Sequence, residues 1–223
     1  IGEIRAALDG QCDYEIVYVD DGSSDRTLER LVALSGGLPR LRILHHRRCC
    51  GQSTALATGI RASRGGIVAT LDGDGQNDPA DIPKLYARLT ASAGSQGLAM
   101  VAGYRAKRQD TPWRRFSSKL ANAVRAALLG DRTPDTGCGL KVFPRDVFLA
   151  LPYFDHMHRF LPALVQRAGG GVVSVEVNHR PRLRGLSKYG TWHRLWVGII
   201  DLCGVMWLQR RAHVPEIEVR SRQ

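Results

Sequence analysis

The chain has 223 residues, is 43% hydrophobic, and carries a formal net charge of +11 with a sequence pI near 10.0. That length and apolar content suffice for a sizeable core and exclude a disordered chain or a disulfide-stapled miniprotein. The basic balance directs attention to polyanions: nucleic acid, an anionic membrane face or a phosphorylated substrate.

No repeat or linker-like run interrupts the chain, and no secretory leader is visible from Ile1 onward. The five cysteines (Cys12, Cys49, Cys50, Cys138, Cys203) are odd in number and lack paired CxxC spacing. That argues against a zinc site and a disulfide framework, and for a reducing cytosolic setting.

"YEIVYVD" (14–20) is rich in β-branched and aromatic residues and runs into "DGSSD", a turn with helix N-cap candidates. A helix follows from Asp25, with Leu28, Leu31 and Val32 at helical spacing, and stops at "SGGLP". "LRILHH" (41–46) predicts a second strand, "GQSTALATGIRASRG" a helix with Leu56 and Ile60 on one face, and "GGIVATLD" (65–72) a third strand. Its nearly continuous apolar run predicts burial on both faces, and the alternation with helices predicts a parallel, right-handed βαβ sheet.

"NDPADIPKLYARL" predicts a helix with Pro79 near its first turn, and "GLAMVAGY" (97–104) another buried strand. Beyond it the pattern predicts a helix over 115–129, a short strand near 139–143, a helix over 158–168 and the strand "GVVSVEVNH". "TWHRLWVGIIDLCGVMWLQRR" (191–211) is the most apolar stretch, yet Arg194 and Asp201 interrupt it. It falls short of the roughly 20 uninterrupted apolar residues of a spanning helix. Its tryptophans and terminal arginines suit an interfacial helix, and a core-packing helix fits equally.

Two acidic clusters, Asp20-Asp21 and Asp72-Gly73-Asp74, stand at the carboxyl ends of predicted parallel strands. Ligands of open α/β sheets bind beyond such ends, so both clusters are expected to face one crevice. Carboxylates beside a pyrophosphate repel it unless a divalent cation lies between, and magnesium or manganese takes oxygen ligands of this kind. An ionised aspartate can instead accept hydrogen bonds from a base or ribose. Gly73 and Gly75 leave room for a ligand near the backbone. The pair His156 and His158 lacks a third ligand at useful spacing and reads as structural.

"VYVDDGSSDRT" followed by "LDGDGQNDP" resembles the nucleotide-sugar-dependent glycosyltransferases of family two, whose α/β fold is called GT-A: a Rossmann-like, mostly parallel sheet flanked by helices. Relatives commonly place alanine between the two aspartates, so Gly73 departs from the pattern while both acids and Gln76 are kept. "GYR" (103–105), "RRFSSKLAN" (114–122), "DTGCGLKVF" (135–143), "HRF" (158–160) and "RPRLRGLSKYG" (180–190) resemble the polyprenyl-phosphate branch, typified by dolichyl-phosphate mannosyltransferase.

The resemblance implies a GT-A domain over residues 1–190 and an interfacial amphipathic helix with a basic tail over 191–223. It implies donor contacts from Asp20, Asp21, Gly51, Asp72 and Gln76, a Mg2+ or Mn2+ held by Asp72, Asp74 and Gln76, and Asp74 as the catalytic carboxylate. Arg105, Arg114, Ser118, Arg182, Ser187 and Lys188 would grip the acceptor phosphate, although Arg114 and Arg115 are hard to tell apart. The implied partners are a nucleoside-diphosphate sugar, a polyprenyl phosphate and an anionic membrane at its cytoplasmic face, with no nucleic acid. Relatives begin with a strand that lines the nucleotide pocket, whereas this sequence opens inside what resembles the following helix, "IGEIRAALDG". Two other readings of the residues are a sugar nucleotidyltransferase and a non-catalytic basic module that binds nucleic acid or membrane.

Overall fold

The computed structural model describes residues 1–91, 97–106, 122–181 and 191–213, with the side chains of 191–195 excepted. In chain order the elements are α1 (Gly2–Leu8), β1 (Ile16–Asp20), α2 (Thr27–Ser35), β2 (Leu41–His45), α3 (Gln52–Ala62), β3 (Ile67–Thr70) and α4 (Ile82–Thr90). There follow β4 (Leu98–Tyr104), α5 (122–129), β5 (Lys141–Pro144), α6 (Arg145–Leu149), α7 (Leu161–Arg167), β6 (Gly171–Glu176) and α8 (Thr191–Arg210).

The strands form two sheets, β1-β2 and β3-β5-β4-β6. The β1/β2 and β4/β6 ladders are parallel, as the alternation predicts, but β5 enters the larger sheet antiparallel to both of its neighbours. A strand of four residues carries too short a pattern to announce its direction. The expectation that β3 is buried on both faces is also corrected, because Ile67 is 37% exposed. Only its β5 edge is paired among the described residues. Burial on both faces does hold for β4, where Ala99 to Gly103 is continuously buried.

Side-chain alternation across the larger sheet builds a core on each face. Met100 and Phe143 point to one side, where they meet Ala57 and Ile60 of α3 and Leu161, Leu164 and Val165 of α7. Val101 and Val142 point to the other, against Ile82, Leu85 and Leu89 of α4 and Leu8 of α1. A register shift between Leu98 and Met100 puts Ala99 and Met100 into the same core.

Helix α8 packs one face on the core, as the core-packing reading expects, and leaves the other open. Val205 is fully buried, and Leu202, Met206 and Leu208 pack beside it on the α3/α7 core. Asp201, the charge that breaks the stretch, faces inward and pairs with His156 Nδ1 at 3.1 Å. Burial raises the Asp201 pKa, with His156 and Arg159 opposing. The other face exposes Trp196, Ile199, Ile200 and Trp207, with Trp196 64% and Ile200 68% open. No helix of the described residues is long and apolar enough to cross a membrane.

Candidate active site

Asp20 ends β1, and the parallel register places it opposite His45 at the end of β2. Its carboxylate, 2% exposed, accepts hydrogen bonds from His45 Nδ1 at 2.8 Å and the Ser23 N–H at 3.3 Å. Burial alone would raise its pKa; the Ser23 and His45 bonds more than reverse that and hold it low. The chain then turns through Gly22, whose φ of +69° suits glycine. A Cβ there would stand 2.7 Å from the backbone of Arg48 and Cys49, so the absent side chain lets the loop after β2 lie directly on the acidic turn.

Asp21 receives that loop. Its Oδ1 accepts from His46 Nδ1 at 2.7 Å and the Cys50 N–H at 2.8 Å, and its Oδ2 from the Gly51 N–H at 2.8 Å and Cys49 Sγ at 3.2 Å. Burial opposes ionisation of Asp21 and these donors overcome it. The next residue, Gln52, opens α3 and donates from Nε2 to Asp72 Oδ1 at 2.8 Å. The dipeptide Gly51-Gln52 thus holds one acidic cluster with a backbone N–H and the other with a side chain. The two clusters, expected to face one crevice, are linked by this short bridge.

Beyond β3, Asp72 packs against Gly139, where a Cβ would overlap its carboxylate. Asp74 Oδ1 accepts from the Gln76 N–H at 3.1 Å, an Asx turn that orients the second acid. Gly73 has a local reason: a Cβ would lie 2.8 Å from the Tyr18 hydroxyl, which reaches across from β1. The alanine of the family pattern would therefore require Tyr18 to move.

Two cationic groups brace the loop that carries Gly139 against Asp72. Arg105, at the end of β4, grips Asp135 through Nε at 2.6 Å and Nη2 at 2.9 Å. Lys141 is buried and donates to the carbonyls of Thr136 and Cys138, folding the "DTGCGLK" loop over the site. Burial lowers its pKa, and Cys138, Asp72 and Asp135 oppose that.

The strand after Gly171 also ends at the acidic turn. Arg180 N–H donates to the Gln76 carbonyl at 3.0 Å, Asn77 bridges His179, and the Arg180 guanidinium contacts Asp78 at 2.8 Å and Glu3 at 2.7 Å. The chain is therefore beside Gln76 just before Arg182. Arg182, Ser187 and Lys188, like Arg114 and Ser118, lie outside the described residues.

His45, His46, Gln52, Asp135 and Lys141 are site residues that the sequence reading did not single out. For His45 the signal exists only in the β1/β2 register, and for Lys141 it lay unread inside a motif already quoted. His158, read as structural, has Ser53 Oγ 2.8 Å from its Nδ1, and burial drives its pKa down to about 3.

A family model described as glycosyl transferase family 2 matches residues 4–151, spanning β1 to α6 and both acidic turns. The chain belongs to glycosyl transferase family 2. Among curated family 2 relatives, the dodecaprenyl-phosphate galacturonate synthase of Rhizobium johnstonii is 37% identical over 206 residues, covering 88% of this chain and 58% of that protein. The undecaprenyl-phosphate 4-deoxy-4-formamido-L-arabinose transferase of Pseudomonas aeruginosa is 36% identical over 184 residues, covering 82% and 52%. The chain thus spans little more than half the length of these relatives.

Among solved structures, glucosyl-3-phosphoglycerate synthase from Mycobacterium tuberculosis with phosphoglyceric acid superposes at a TM-score of 0.65, 21% identity, and 96% and 74% coverage of the two chains. The same enzyme with Mn2+, UDP-glucose and glycerol 3-phosphate gives 0.63, 20%, and 97% and 75%. At that identity the likeness establishes the shared GT-A fold.

Proposed function

We propose that this family 2 chain is the catalytic region of an enzyme that transfers a sugar from a nucleoside diphosphate to a polyprenyl phosphate, with inversion at the sugar carbon. One observation carries the reading. Gly51 and Gln52 tie Asp21 and Asp72 into one constellation, which supports reading the two acidic turns as one donor site. The curated relatives are named for polyprenyl-phosphate acceptors. Family membership favours sugar transfer over nucleotidyl transfer and over a non-catalytic basic module.

Asp72 and Asp74 offer only hard carboxylate oxygens, and the missing Cβ of Gly139 gives Asp72 its place. Such a donor set fits Mg2+ or Mn2+, with Gln76 closing the turn and phosphate and water oxygens completing the shell. When bound, the ion neutralises charge on the departing diphosphate.

The chain's own residues supply position. Asp20, kept ionised, holds His45 and the Ser23 N–H at the mouth of the first turn, where a base or ribose would lie. The acceptor phosphate has a second pKa of about 6, so at neutral pH it is largely an ionised nucleophile and needs orientation more than a strong base. Arg105, paired with Asp135, would serve the acceptor phosphate together with Arg182, Ser187 and Lys188 on the segment leaving Pro181 beside Gln76, joined by Arg114 and Ser118. The exposed face of α8 would rest at the cytoplasmic surface of the membrane that holds the lipid.

The test is release of nucleoside diphosphate from a panel of UDP- and GDP-sugars with a polyprenyl phosphate, with and without Mn2+. Wild type should turn over only with metal, and Asp74→Asn should lose at least about 10²-fold, the scale of one lost electrostatic contact to a transition state. Metal-independent turnover by Asp74→Asn, or release of pyrophosphate instead, would overturn the proposal.

A further inference from the structure

The loop after β2 carries two adjacent cysteines in "HHRRCCGQ", and the donor chemistry above makes no use of their sulfur. Their sequence spacing argued against zinc; their place in the fold argues the other way. A carboxylate oxygen of Asp21, a ring nitrogen of His46 and Cys50 Sγ all lie within 4.8 Å of one another. Cys49 Sγ is 3.2 Å from the other oxygen of the same carboxylate.

We propose that Asp21, His46, Cys49 and Cys50 form a site for a thiophilic divalent cation of the zinc class, separate from the hard-ion site at Asp72 and Asp74. Zinc bonds of about 2.0–2.3 Å in a tetrahedron put neighbouring ligand atoms about 3.3–3.8 Å apart. Side-chain rotation of Cys49 and Cys50 covers the remaining distance. Both are exposed, which leaves an entry path.

An observation outside the cluster supports the assignment. His46 Nε2 lies 3.0 Å from Thr58 Oγ1 on α3. Metal binding would move the imidazole proton from Nδ1, where it now bonds Asp21, to Nε2, where the Thr58 hydroxyl can accept it, freeing the Nδ1 lone pair for the ion; ligating histidines are commonly fixed by a second partner of this kind. Gly22 further holds the Arg48-Cys49 backbone on the acidic turn, so the loop is positioned before any metal arrives.

Charge balances as well. Binding releases one proton from each thiol, so the two thiolates and Asp21 bring three negative charges to a doubly charged ion. Arg47 and Arg48, in the same loop, bring positive charge to the neighbourhood. Sulfur donors select against magnesium, so the two metal sites discriminate by ligand softness. Occupancy would clamp the loop that carries Gly51 and Gln52, and through them the donor crevice.

The test uses the reduced full chain with Co2+ or Zn2+ alone. Co2+ should give a thiolate charge-transfer band and tetrahedral visible absorption at one equivalent, displaced by Zn2+, and unchanged in Asp74→Asn. Cys49→Ser/Cys50→Ser should lose the band and weaken Zn2+ binding at least 100-fold in a competition with a chromophoric chelator, an effect of the size expected when thiolate ligands are removed.

Alkylation of wild type needs no variant to fold. Zn2+ should slow modification of Cys49 and Cys50 at least tenfold while exposed Cys12 and Cys203 react at unchanged rates. Absence of the band, equal zinc affinity in the double variant, or equal protection of all four cysteines would overturn the assignment. Loss of sugar transfer in Asp74→Asn with the cobalt spectrum intact would leave this site standing and report on the hard-ion site alone.

Discussion

At the scale of single residues, burial and hydrogen bonding decide which charges persist. His158 is held neutral by burial, with a pKa near 3, whereas an unfolded histidine titrates near about 6.5. Between those values the unfolded chain binds the extra proton, so stability rises with pH. The contribution is fully present above about pH 6.5 and is lost progressively toward pH 3. Denaturant unfolding at pH 7 and pH 5 should show a fall of up to about 2 kcal/mol from this group, and His158→Gln should flatten that difference. Asp20 and Asp21 act in the lower window. Their depressed pKa values contribute stability above the ordinary carboxylate range that disappears as pH falls through their folded values.

Glycines also matter singly. Gly139→Ala must move Asp72 or the loop, for an overpacking cost of about 1–3 kcal/mol. It should weaken metal-dependent donor binding at least tenfold by calorimetry. Gly66→Ala, where a Cβ meets open space, should leave that binding within twofold.

At the scale of elements, what could be read in advance was what local pattern encodes. The strands around Val17 to Val19, Ile43 and Val101, the acidic turns and the stop at Gly36-Gly37 all follow from composition and spacing along a few residues. The antiparallel entry of β5 did not, because direction is set by where the chain returns from, which a four-residue run cannot carry. Nor did the Gln52–Asp72 bond, which joins residues far apart in sequence through the seating of α3 on the sheets. The departure at Gly73 was visible as a departure, but its reason, the Tyr18 hydroxyl, came from the opposite sheet.

Helix α8 belongs to this scale too. An interfacial reading and a core reading both fitted its composition, and the inward pairing of Asp201 with His156 belongs to the face that packs on the core. Trp196, Ile200 and Trp207 remain on the open face. Replacing all three by Gln should cut association with anionic vesicles at least tenfold while leaving the melting temperature nearly unchanged, and added salt should weaken wild-type association through the basic surface.

For the whole molecule, the distribution of charge accounts for the contrast between a net charge of +11 and a site lined with aspartates. Acids gather where the donor's diphosphate would need a cation, and Arg105, Lys141 and Arg180 stand near them. Among the described residues the two sheets share no ladder, and they are linked there by Gly51-Gln52 and by Tyr18 against Gly73. Donor binding should therefore tighten the β1-β2 sheet against the larger one, read as slowed amide exchange in β1 and β3 when metal and nucleotide sugar are both present.

The central claim, that Asp72 and Asp74 hold a nucleoside-diphosphate sugar through a divalent ion, is tested most directly by titration calorimetry. The preferred UDP- or GDP-sugar would be titrated with and without Mn2+ into wild type and Asp72→Asn/Asp74→Asn. Binding that requires Mn2+ in wild type and is lost in the double variant is the predicted result. Equal affinity with or without Mn2+, or in the double variant, would contradict it.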